Sequence, residues 1–109
     1  MITSTDAVNG GIFQDLKVLD FTWVGVGPIT TKYFADHGAD VIRIESLSRP
    51  DVLRGAPPFK DANPGINRSQ FSANYNTSKR GLGLNLTIEE SRNIVCRLIN
   101  EWKPDVIAE

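Results

Sequence analysis

The stretch from Lys17 to Glu45, KVLDFTWVGVGPITTKYFADHGADVIRIE, is the strongest constraint on how this chain folds. It reads as a strand over Lys17 to Phe21, a glycine turn, a helix over Pro28 to His37 and a second strand over Asp40 to Glu45. Pro28 suits the first helical position, where its missing N–H costs nothing. Ile29, Tyr33 and Phe34 supply a buried helical face, and Gly38 can take the left-handed conformation that ends the helix. A short helical crossover between apolar strands favours parallel pairing. A glycine turn that opens a helix after a buried strand also aims backbone N–H groups, unpaired within the helix, at an anion. The expectation is an α/β Rossmann-like parallel sheet with flanking helices and a phosphate-bearing ligand at the turn.

Composition narrows the partners. The net charge of -1, with 40% hydrophobic and 23% charged residues, offers no excess of either sign for nucleic acid or an anionic membrane surface. One cysteine, Cys96, and one histidine, His37, exclude an internal disulfide and a Cys/His metal cluster within one chain. No metal is expected, and a cytoplasmic setting is the default. The start, MITSTDAVNGG, lacks both the basic residues and the apolar core of a signal peptide. Residues 1 to 11 read as a loose tail, and residues 12 to 109 as one folded unit.

Beyond Glu45 the periodicity stops. Pro50, Pro57, Pro58 and Pro64, with Gly55 and Gly65, break every pattern, so no element longer than a turn is expected before Gln70. A connection this long binds something or lacks order. Its basic residues Arg49, Arg54, Lys60 and Arg68 read first as solvated surface charge. A short helix over Ser69 to Tyr75 would set Phe71 four residues from Tyr75, and a third strand is expected over Leu82 to Leu86. Thr87-Ile88-Glu89-Glu90 has the form of a capping box, with Thr87 as N-cap. The helix after it repeats Ile88, Ser91, Val95, Leu98 and Trp102 at helical spacing, flanked by Ile94 and Ile99, and Pro104 stops it. Cys96 lies at the edge of that stripe as a small packing residue. Asp105 to Glu109, DVIAE, begins a fourth strand, and a parallel strand without a helix to cover it suggests the first part of a longer protein.

The glycine turn admits two readings. A dinucleotide-binding unit needs G-x-G-x-x-G after the strand and an acid about twenty residues on. Gly25, Gly27 and Glu45 fit, but Thr30 stands where the third glycine belongs, Pro28 removes a donor, and Trp23 is bulky where backbone must approach a ligand.

The second reading rests on four blocks in order and spacing: VLDFTWVGVGP, ADHGADVIRIE, NYNTSKRGLGLNL and DVIAE. Together they resemble the N-terminal region of the family III coenzyme A transferases, the group of formyl-CoA:oxalate and carnitine-type CoA transferases. The resemblance runs from Phe13 to Glu109, and family members are several times longer, which would make this chain the N-terminal part of a CoA-binding Rossmann-like domain whose remainder, with a second domain, lies elsewhere.

The resemblance implies roles for particular residues. Gly25 and Val26, after the first strand, would line the pantetheine and thioester end of CoA. Ser46, where an Arg is common, would face the nucleotide phosphates, and Leu84, Asn85, Leu86 and Thr87 would border the adenine and ribose. Ser46 and Thr87, the latter at a frequent Lys position, depart from the pattern, so Arg49 and Arg54 compensate or phosphate affinity falls. Leu84 and Leu86 read equally as core strand residues, and Lys79-Arg80 as surface charge. The resemblance further implies an acyl-CoA donor, a carboxylic acid acceptor, no metal, an interlocked homodimer and a nucleophilic aspartate beyond this chain, which therefore has no catalytic residue and no turnover alone. Asp20 and Glu45 read as hydrogen-bonded strand-end acids. Two alternatives stay open: an acyl-CoA racemase of the same superfamily, which uses acid and base residues further along, and a small interaction module with an exposed strand edge.

Overall fold

The computed structural model describes residues 11–109. Four strands form one wholly parallel sheet in the order β3-β2-β1-β4: β1 is Lys17–Asp20, β2 Asp40–Glu45, β3 Arg80–Gly83 and β4 Val106–Ala108. Helix α1, Val26–Asp36, links β1 to β2; the short α2, Gln70–Tyr75, precedes β3; and α3, Glu89–Trp102, links β3 to β4. The parallel α/β arrangement and the second strand stand as the sequence suggests. Side chains alternate between the sheet faces. On one face Val18 and Val41 pack with Ala35 of α1; on the other Leu19, Ile42 and Ile44 pack with Leu98, Ile99 and Trp102 of α3.

Helix α1 begins two residues before the expected Pro28 and turns a different face inward. Pro28, Thr31 and Ala35 are buried, whereas Ile29 and Tyr33 are exposed. The cause is Asp20, fully buried on the α1 side, whose carboxylate needs donors there. Thr31 Oγ1 supplies one at 2.7 Å, which orients the helix by hydrogen bonding rather than by its largest apolar residues. Gly27 makes the close approach possible: a Cβ there would lie 2.4 Å from Thr22 Cβ.

Other expectations shift in register. Strand β3 starts at Arg80, not Leu82, because Ile42 pairs with Arg80 and the last sheet bond runs from Leu84 N to Glu45 O. Thr87 is not a cap. Its N–H and hydroxyl both donate to Asn85 Oδ1, at 3.1 and 2.7 Å, and α3 starts after Ile88 with no side-chain cap. An Asn two residues upstream outcompetes the helix terminus for the Thr hydroxyl. Helix α3 ends at Trp102, with Lys103 in the left-handed region before Pro104. Its inner residues Leu98, Ile99 and Trp102 meet the sheet, while Ile88, Ile94 and Cys96 are exposed, so Cys96 is not a packing residue.

The connection from β2 to α2 holds two 3₁₀ turns, Val52–Gly55 and Lys60–Ala62. Ser69 caps α2 by accepting from Ser72 N, and the Phe71 and Tyr75 rings, one helical turn apart, lie tilted against each other with centroids 4.7 Å apart. The expected tail falls outside the described residues except for Gly11, which packs tightly against the backbone of His37. No helix among the described residues is long and apolar enough to cross a membrane.

Candidate ligand cleft and its buried charge network

The carboxyl ends of β1, β2 and β3 divide two environments. On the α3 side lies a cleft of about 350 Å³. Phe21 and Trp23 follow β1, Ile44 and Ser46 come from the end of β2, and Leu84, Asn85, Leu86 and Thr87 follow β3. Five of the seven expected ligand residues, Ser46 and Leu84 to Thr87, therefore share one wall-lined space. Gly25 and Val26 do not line it; they sit at the head of α1, with Val26 largely exposed.

Local turns shape the cleft. Ser46 Oγ lies 2.7 Å from Ser48 Oγ and accepts from Ser48 N, and Arg49 N bonds back to Ser46 O. The departure from a basic residue at Ser46 thus builds the turn that presents Arg49, whose guanidinium stacks over Trp23 with 5.2 Å to the ring centroid. Among the described residues Arg49 is the only charged one lining the cleft. Asn85 forms the opposite turn by holding Thr87.

On the α1 side, the same strand ends carry a buried network of three acids and three bases. Asp20 accepts from Thr22 and Thr31 and pairs with Lys79 Nζ at 3.0 Å, and that ammonium also donates to Pro28 O and Asn76 Oδ1. Arg43 bridges Glu45 and Asp51, both at 2.5 Å. Glu45 also receives Arg54 at 2.7 and 2.8 Å and the Asp51 N–H. Burial pushes the Glu45 carboxyl up, but the Arg54 and Asp51 hydrogen bonds and the charges of Arg43 and Arg54 override it and hold it at about 2. The Glu45 hydrogen bond raises Arg54, and burial lowers the Lys79 ammonium against the pull of Asp20.

These contacts revise several sequence readings. Lys79 is a buried ion-pair partner, not surface charge; Arg54 is committed to Glu45 and to Ile66 and Asn67, so among the described residues Arg49 is the cation at the cleft. Arg68 donates to the carbonyls of Lys60 and Asn63. Asp20 and Glu45 are hydrogen-bonded structural acids, as expected. Glu45 is unavailable to a ribose, because Arg43, Arg54 and the Asp51 N–H take up its carboxylate oxygens. Arg43 and Asp51 escaped the sequence reading; a charge inside an apolar strand, sharing a face with Asp20, was the available signal. Among the described residues no group of three or more His, Cys, Asp or Glu side chains could hold a metal ion.

The model of CoA-transferase family III matches residues 13–109. The chain belongs to CoA-transferase family III. This family III chain is 38% identical over 101 residues to the succinyl-CoA:mesaconate CoA-transferase of Haloarcula marismortui, covering 91% of the chain and 24% of that protein. It is 40% identical over 96 residues to the formyl-CoA:oxalate CoA-transferase of Escherichia coli O6:H1, covering 88% and 22%. A CaiB/BaiF family protein from Brucella suis superposes with a TM-score of 0.74 at 30% identity, over 89% of the chain and 25% of that structure. The family III chain thus spans about a quarter of the length of the relatives it matches.

Proposed function

We propose that the protein carrying this chain moves coenzyme A from an acyl-CoA thioester to an acceptor carboxylate, and that residues 12 to 109 form the N-terminal part of its CoA-binding domain. The single observation that carries the reading is the cleft over three parallel strand ends, which gathers Ser46, Leu84, Asn85, Leu86 and Thr87 with Arg49 and Trp23 in a CoA-transferase family III chain. Such a cleft has an aromatic surface for a base, one cation for phosphate and polar turns for ribose hydroxyls. Gly25 and the exposed Val26, at the turn, would meet the pantetheine arm as it leaves.

The chemistry follows from the thioester. A carboxylate nucleophile, an aspartate outside these residues, attacks the acyl carbonyl and expels CoA thiolate as a mixed anhydride forms. The thiolate returns to the enzyme carboxyl to give an enzyme-bound CoA thioester, freeing the donor acid, and the acceptor carboxylate then takes CoA by the reverse sequence. Asp20 and Asp51, buried and ion-paired, are not available for this attack. Residues 1 to 109 alone would not turn CoA over. The full-length protein would work as an interlocked homodimer in the cytoplasm.

Exchange of a radiolabelled free acid into acyl-CoA by the full-length protein tests the reading. Epimerisation beside the thioester without exchange would establish the racemase instead, turnover by residues 1 to 109 alone would remove the need for an outside nucleophile, and NAD binding with indifference to CoA would restore the dinucleotide reading.

A further inference from the structure

We propose that Asp51 is a positioning residue for the ligand turn, holding Val24 in a left-handed backbone conformation so that Gly25 and Val26 face the incoming ligand. The inference rests on the CoA reading above. Val24 has φ 68°, a region that β-branched side chains disfavour because Cβ crowds the following carbonyl. Such a conformation persists only where its surroundings over-determine it, and residues of this kind cluster at ligand clamps.

The surroundings here are specific. Asp51 is buried, and its two carboxylate oxygens accept the Val24 N–H at 3.2 and 3.3 Å from a separate part of the chain. The carboxylate cannot swing away, because Leu53 N donates to it at 3.0 Å and Arg43 grips it at 2.5 Å, while Arg43 is itself tied to Glu45. Among the described residues nothing comparable fixes the next residue: Gly25, the N-cap of α1, makes no side-chain cap bond, and a Cβ there would meet no atom within 4 Å. The turn is therefore anchored at Val24 and open at Gly25, which is the arrangement of a preformed rim.

A double-mutant cycle on the full-length protein, with CoA affinity from calorimetry, tests this. Asp51→Asn keeps the shape but loses charge and an acceptor site, and CoA should bind about tenfold more weakly. Val24→Gly takes positive φ without steric cost, so in that background Asp51→Asn should cost less than about threefold. Equal losses in both backgrounds, or unchanged affinity in Asp51→Asn, would overturn the inference. Should Asp51→Asn fail to fold, Val24→Pro removes the donated N–H and forbids positive φ at a partly exposed position while leaving the Arg43–Asp51 pair intact. It should lose about tenfold in CoA affinity with the thermal transition preserved, and retained affinity would overturn the inference. Wild-type protein that does not bind CoA would instead overturn the CoA reading, and this inference with it.

Discussion

Lys79 Nζ lies 3.0 Å from Asp20 Oδ2, with both side chains almost wholly withdrawn from water. The pair joins the entrance of β3 to the end of β1 and, through Pro28 O, to the first turn of α1. Removing one member of a buried pair leaves the other uncompensated, at a cost of about 3–5 kcal/mol. Lys79→Met should therefore lose on the order of 3 kcal/mol in urea denaturation. A loss below about 1 kcal/mol would mean that the Thr22 and Thr31 donors satisfy Asp20 by themselves.

Two nearby glycines should respond unequally. Gly27→Ala drives a methyl into Thr22, and overpacking of this kind costs about 1–3 kcal/mol. Gly25→Ala meets open space at an ordinary negative φ and should change stability by no more than about 0.5 kcal/mol. Thermal melts of the two variants side by side decide this, and equal destabilisation would refute it.

The depressed Glu45 carboxyl sets a pH dependence. Its value of about 2 in the folded protein lies below the ordinary 4.5, so its contribution is complete above 4.5 and lost as pH falls toward 2. Glu45→Gln should be less stable than wild type at neutral pH, and the gap between them should narrow across that window. Denaturation midpoints at several pH values measure it; a gap that stays constant down to about pH 3 would show that the charge of Glu45 is not its source.

Within the cleft, Trp23 offers the aromatic surface. Base stacking on an aromatic side chain is worth about 1–3 kcal/mol, so Trp23→Ala should weaken CoA roughly tenfold without lowering the melting temperature appreciably. Affinity for pantetheine, which lacks the base, should stay unchanged. Equal losses for both ligands would place the base elsewhere.

The parallel sheet was legible because Val18, Leu19, Val41, Ile42 and Ile44 make predominantly apolar strands around a glycine turn and a short helix. Strand β2 was exact for that reason. The face of α1 was not legible: apolar spacing favours Ile29 and Tyr33, but a buried Asp20 recruits Thr31, and such a demand depends on depth within the fold. Thr87 failed similarly, since its capping pattern ignores the acceptor on Asn85. The cleft residues near β3 were found through family resemblance, whereas Arg43, Asp51 and Lys79 were hidden because charge is ordinarily read as surface. Their pairing spans distant segments, and only the assembled sheet brings those segments together.

The Arg54–Glu45 contact gives the long β2–α2 connection a release mechanism separate from the melting of the sheet. That segment is sutured to the strand ends by carboxylates, whereas the β1–β2 ladder is closed by apolar packing on both faces. Acid that protonates Glu45 should cut the Arg54 tie first. Hydrogen exchange would then quicken at Asp51, Leu53 and Arg54 while Leu19 and Ile42 stay protected, so the wall of the cleft that bears Arg49 would behave as its own cooperative unit, detachable from a sheet that remains folded.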